Sequence, residues 1–238
     1  MIVQACINGA RPNDYHPRLP TTAAAIALDC AACTDAGAGE LQIHPRGRDG
    51  RESLSAVDDT ILAVRQSCPG TLLGVSTGAW IESDEKRTKD CISRWNVLPD
   101  YASVNLSEAD APVVMLLLDR MGVGIEAGLA SVTDAERFAS LPKCNQVFRI
   151  LIEVEEENPA KADAVADGIE TLLRRANLLR PVLLHGFDAT VWHFVSRARK
   201  SRLSTRVGLE DGRLLRNGNM ASGNNELVGD AVGIFTPG

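Results

Sequence analysis

Between residues 2 and 234, short runs rich in Val, Ile and Leu alternate with amphipathic stretches through eight cycles. The expected strands are residues 2–7, 40–45, 71–76, 101–106, 124–129, 147–154, 181–184 and 205–209. The expected helices are residues 21–36, 55–68, 84–98, 111–120, 134–141, 159–176, 190–199 and 224–234. Thr21-Thr22, Thr133 or Asp134, and Asn158 followed by Pro159 supply helix start signals. Repeats of this length imply parallel strands joined by right-handed crossovers. An open doubly wound sheet fits the same alternation. The count of eight, and the absence of G-x-G-x-x-G after the first strand, favour closure into a (β/α)8 barrel. No low-complexity linker interrupts the pattern, so residues 1–238 are expected to form a single (β/α)8 barrel domain.

Composition narrows the function. A hydrophobic fraction of 45% with only 4% aromatics suits a core of Val, Ile, Leu and Ala. A net charge of −6 and a pI near 5.3 argue against a nucleic-acid or anionic-membrane partner, which would need a basic face. The start MIVQACINGA reads as a strand rather than a signal peptide, and no apolar run approaches the ~18 residues of a membrane span. The six cysteines, including Cys30-Ala-Ala-Cys33, lie in apolar segments and are expected to be buried thiols in a reducing cytoplasm.

The polar residues gather where a barrel places its chemistry, at the C-terminal strand ends and the loops after them. Alternation puts Gln42, His44 and Arg46 together at the end of the second strand, and Arg206, Gly208 and Glu210 on one face of the eighth. The other ends bring Asn8, Ser76-Thr77-Gly78, Asn105 and Ser107, Glu126, Glu153 and Glu155, and His185. His44 and Glu210 are candidate ligands for zinc or another divalent ion, with Gln42 a weak third. Arg206 and Arg46 are candidates for holding a carboxylate or oxyanion, and Asp211 is a candidate base. His16 is expected in an exposed loop and His193 in helix packing. The basic stretch from Arg197 to Arg202 is expected to be a solvated helix end, with a cofactor phosphate as the sharper alternative.

Asn8-Gly9-Ala10, Ala36-Gly37-Ala38, Ile43-His44-Pro45-Arg46, Ser76-Thr77-Gly78, Arg206-Val207-Gly208-Leu209-Glu210-Asp211, Ala221-Ser222 and Asn225-Glu226-Leu227-Val228 run in an order that resembles the β-keto acid cleavage enzymes. That resemblance implies a zinc-dependent (β/α)8 barrel that condenses a β-keto acid with acetyl-CoA, giving acetoacetate and a new acyl-CoA by retro-Claisen chemistry. It implies His44 and Glu210 as zinc ligands, and Arg206 and Asp211 as catalytic residues. Ser76 and Glu126 match substrate-contacting positions, and Glu126 is carried as a catalytic candidate. Asn8, Arg46, Ser76, Thr77, Gly78 and Asn105 complete the expected substrate-binding set. Where the family pattern has His-x-His, this chain has Gln42-x-His44, and it is shorter in the loops after strands four, five and seven. The competing reading is a catalytically silent or metal-poor barrel that binds a CoA thioester or keto acid. Partners are expected to be small molecules, and the chain is expected to form a homo-oligomer.

Overall fold

The computed structural model describes residues 1–236, and these form the expected eight parallel strands and eight helices. The strands are β1 (Val3–Cys6), β2 (Glu40–Ile43), β3 (Leu72–Ser76), β4 (Tyr101–Asn105), β5 (Gly124–Leu129), β6 (Arg149–Val154), β7 (Val182–Gly186) and β8 (Thr205–Val207). Between and after them run α1 (Ala23–Asp35), α2 (Val57–Ser67), α3 (Glu85–Ile92), α4 (Ala111–Met121), α5 (Val132–Ser140), α6 (Pro159–Arg175), α7 (Val191–Ser201) and α8 (Asn224–Phe235). Each strand pairs with the next in sequence, and β1 also pairs with β8, Gln4 standing opposite Arg206. The ring closes between β7 and β8 through one parallel bridge, Leu183 to Ser204, with Leu184 N donating to Ser204 O at 2.9 Å. No helix among the described residues is long and apolar enough to cross a membrane.

Several boundaries differ from the sequence expectation for local reasons. Helix α3 stops at Ile92 rather than residue 98. Beyond it Trp95 is buried, donating to Leu54 O, and the Asp58 carboxylate accepts from the backbone of Asn96 and Val97. Ser131, not Thr133 or Asp134, caps α5. Strand β8 ends at Val207, and residues 208–212 turn back, with Asp211 N and Gly212 N both donating to Gly208 O at 2.9 Å.

Pleat alternation splits the strand residues into two sets. Ala5, Leu41, Ile43, Val75, Val104, Ile150 and Ile152 face the helices in the apolar core. The barrel interior departs from the expected aliphatic filling, because it carries charge. Glu126 is fully buried and forms an ion pair with Arg149 Nε, whose Nη1 meets Glu40 Oε2 at 2.5 Å. The guanidinium lies 4.7 Å over the Tyr101 ring, which stacks on Phe148. Ser103 donates to Glu126 Oε1 at 2.5 Å and accepts from Gln42 Nε2 at 3.1 Å. This layer is the floor under the site.

Removing one partner from a buried pair leaves an uncompensated charge, which costs about 3–5 kcal/mol. Arg149→Met is therefore expected to lower the unfolding free energy by about that amount in urea titration. Adding Glu126→Gln and Glu40→Gln to it should recover part of the loss.

Candidate functional site

The C-terminal mouth of the barrel holds a cavity of about 570 Å³, bordered by Gln42, His44, Ser76, Asn105, Glu153 and Arg206 among others. At its centre lies Arg206, 3% exposed. Its Nη2 donates to Glu210 Oε1 at 2.8 Å and to Asp211 Oδ1 at 2.9 Å, and its Nε donates to His185 Nδ1 at 3.3 Å. Both carboxylates reach the guanidinium because the chain turns after Val207. The strand alternation expected for Glu210 therefore gave the right neighbourhood through the wrong geometry. The turn needs Gly208, where a Cβ would overlap the Cys6 carbonyl, and it is tied by Asn224, which accepts from Leu209 N at 2.6 Å and donates to Ile7 O at 2.8 Å. Gly9, at φ 51°, makes room for the Glu210 side chain.

His44 faces Glu210 across 3.5 Å from Nε2 to Oε1, while its Nδ1 donates to Glu52 Oε1. Trp80 Nε1 donates to the other oxygen of Glu52 at 2.9 Å. Burial pulls the His44 pKa down, but the Glu210 and Glu52 carboxylates outweigh it and raise it to about 9. Burial pushes the Asp211 carboxyl up to about 7 despite Arg206. His185 moves the other way, well below the ordinary imidazole range, because it is buried beside the Arg206 cation.

Of the sequence-derived candidates, His44, Gln42, Ser76, Asn105, Ser107, Glu153, Glu155, Arg206 and Glu210 border the cavity, His185 meets Arg206 beside it, and Asp211 is fully buried behind Arg206. The remainder sit elsewhere. Arg46, expected to hold a substrate carboxylate, donates instead to Gly9 O, Arg11 O and Gly50 O at 2.7–3.1 Å and pins two loops together. Asn8, expected to touch substrate, is consumed by Pro20 O and by the His44 backbone. Thr77 donates to Ser103 O, and Gly78 lies under the Trp80 ring, where a Cβ would collide. Glu126, carried as catalytic, is neutralised by Arg149 in the floor. Gln42 Nε2 is committed to Ser103, and its Oε1 lies buried beside Gly74 without a hydrogen-bond partner. His16 is buried rather than exposed and hydrogen-bonds through Nε2 to Ala221 O. Arg197, within α7, is held by Asp163, Asp167 and Glu170 of α6 and does not border the cavity.

Sequence reasoning missed Glu52 and Trp80 and assigned no role to Arg11, which donates to Glu210 O and bridges to Asp188 at 3.1 Å. One signal for Glu52 was present. The Asp49-Gly50 turn folds the chain back so that Glu52 pairs with Arg46.

An eight-stranded parallel barrel with an arginine, two carboxylates and a histidine converging at the C-terminal mouth belongs to the (β/α)8 class that builds its sites from strand ends. Residues 1–118 match the beta-keto acid cleavage enzyme family. A 3-keto-5-aminohexanoate cleavage enzyme from Acetoanaerobium sticklandii is 28% identical over 109 residues, covering 44% of this chain and 38% of that protein. Just under half of the chain thus carries the likeness to the β-keto acid cleavage enzyme family. Solved structures support the fold. ObcA in binary complex with oxaloacetate superposes with a TM-score of 0.72 at 17% identity over 90% of this chain and 62% of that one. The 3-dehydroquinate dehydratase from Geobacillus kaustophilus gives 0.64 at 11% identity over 98% and 89%. The chain thus spans well under two thirds of its curated relative and slightly under two thirds of ObcA.

Glu52→Gln retains the size of the side chain but removes the anion behind His44. It is expected to lower the His44 pKa from about 9, read as the pH midpoint of its ring protons by NMR, without unfolding the protein. An unchanged midpoint would show that Glu52 does not tune the ring.

Proposed function

We propose that the protein cleaves a β-keto acid with acetyl-CoA, giving acetoacetate and a new acyl-CoA. In this reaction the bond between the keto carbon and the carboxylate-bearing carbon breaks. The released two-carbon unit joins the acetyl group, and the CoA sulfur ends on the former keto carbon. The observation that carries the reading is the Arg206 guanidinium, fixed on three sides and bordering the same cavity as His44. A fixed cation in a site shielded from water stabilises an enolate or tetrahedral oxyanion without reorganising, the largest contribution in many acyl transfers. Asp211 lies behind that cation and orients it. ObcA, solved with oxaloacetate and with a C4-CoA adduct and oxalate, supports a keto acid and a CoA thioester as co-reactants in such a mouth.

Family likeness also implies a divalent ion such as zinc. His44 Nε2 and Glu210 fit as two donors, since Glu210 Oε2 is buried without a partner and Glu52 backs the ring as a carboxylate backs a metal-binding histidine. Gln42 is engaged through Nε2 by Ser103, and among the described residues no group of three His, Cys, Asp or Glu side chains is arranged to hold a metal ion. Bound there, the ion would polarise the keto oxygen as a Lewis acid. His44 must release its Nε2 proton to bind a metal, so zinc affinity is expected to rise as pH increases towards about 9 and to weaken below it. Competition with a chromophoric chelator at several pH values reads this out, and a flat profile would remove His44 from the ligand set.

The same reading holds a homo-oligomer acting in the cytoplasm on small acids. Exposed Val113 and Leu116, one turn apart on α4, support a contact between copies.

The deciding experiment is a screen of β-keto acids with acetyl-CoA, with and without zinc, followed by acetoacetate and new thioester. Glu210→Gln is expected to reduce kcat about 100-fold or more. Failure of the wild-type protein on every acid would favour the silent barrel.

A further inference from the structure

Asp211 cannot meet a substrate directly, because it is fully buried behind Arg206. The reaction proposed above still requires a proton to leave the carbon between the keto and carboxylate groups. We propose that Glu153, on β6, is the catalytic residue that takes this proton and later returns it. The inference rests on the proposed function and names a group that the family resemblance does not supply.

Three features of the structure support Glu153. It is an inward residue of β6 that borders the cavity, with its side chain 17% exposed. Glu155 also borders the cavity, but it lies beyond the strand end and is exposed to solvent. Room for the Glu153 carboxylate comes from Gly128 on β5, where a Cβ would stand 2.7 Å from Glu153 Oε1. Finally, Glu153 lacks a committed counter-ion. Its ion-pair contact among the described residues is 4.0 Å to His185 Nε2, and that nitrogen has no hydrogen-bond partner. His185 Nδ1 accepts from Arg206, so in the neutral ring the proton sits on Nε2 and points towards Glu153 as a weak, uncharged donor.

The charges facing Glu153 come from several elements. Arg206 and Glu210 lie on β8 and the turn after it, Glu126 on β5, and Glu155 on its own segment. Burial, with the three carboxylates opposing Arg206, raises its pKa to about 7. A group so placed exchanges a proton readily near neutral pH.

The step balances without a further reactant. Glu153 carboxylate accepts the C2 proton, and the electron pair passes into an enolate whose oxygen faces Arg206. That carbon attacks the acetyl carbonyl of acetyl-CoA, expelling the CoA thiolate. The thiolate then attacks the substrate's keto carbon, and the original bond between that carbon and C2 breaks to give the new thioester and the acetoacetate enolate. Glu153 returns its proton to that enolate and is regenerated as the carboxylate.

The test uses acetoacetate as probe, with wild-type protein, Glu153→Gln and Glu153→Asp in D2O. NMR follows loss of the C2 hydrogens above the uncatalysed rate, and turnover of a longer β-keto acid found in the screen is measured in parallel, as formation of its new CoA thioester, because acetoacetate itself would regenerate the starting pair. The expected result is that Glu153→Gln slows both exchange and kcat by about 100-fold or more, with KM within threefold of wild type and an unchanged thermal midpoint. Glu153→Asp should restore part of the exchange, and the inflection near pH 7 in kcat/KM should be lost only in Glu153→Gln. Exchange at the wild-type rate in Glu153→Gln, in protein that turns over keto acids, would overturn the role of Glu153 and leave the proposed function standing. A wild-type protein that turns over no keto acid would overturn both.

Discussion

A guanidinium buried at the mouth of a barrel is tolerable only if anions and acceptors surround it, and the demands of Arg206 organise much of the upper half of this molecule. Glu210, Asp211 and His185 all converge on it. The turn that delivers the two carboxylates requires a glycine at position 208 and a tie from Asn224. Desolvation makes each partner costly to lose, since the cation that remains would have no water to replace it. The same desolvation is what makes the cation effective towards a developing oxyanion.

A second buried arginine repeats the device one layer down. Arg149 sits between Glu126 and Glu40 and over two aromatic rings, and the chain Arg149–Glu126–Ser103–Gln42 carries its influence upward to the mouth. Ser103 gives its proton to Glu126 and so must accept from Gln42, which fixes the direction of the Gln42 amide. The floor therefore decides which donors the site can present. His44 receives its orientation separately, from Glu52 on the following hairpin.

Eight strands in parallel order were legible because each strand faces helices on one side, and the resulting aliphatic alternation is written directly in the chain. The interior side was not legible. Gln4, Glu40, Tyr101 and Arg149 read as ordinary polar interruptions until their partners are known, and those partners come from strands far apart in sequence. At the mouth, His44 and Arg206 could be placed from strand ends, because backbone position alone brings them there, and Glu210 could be placed only as a neighbour of that end. What Arg46, Asn8 and Glu126 do could not be read that way. Each is spent on a backbone carbonyl, a loop or an ion pair that only the folded chain creates. Asp211 shows a further limit, since the residue beside Glu210 reaches the same guanidinium only after the strand has ended.

The seam between β7 and β8 is held by a single bridge, from Leu183 to Ser204. Every other wall of the barrel has a ladder of at least three paired residues. His185 and Arg206 flank that seam, so the hydrogen bond between them acts as a side-chain staple across a weak stretch of backbone. That contact thus serves two ends at once: with Thr205 Oγ1 donating to Leu184 O it reinforces the thin seam, and with Glu210 and Asp211 it aims the guanidinium.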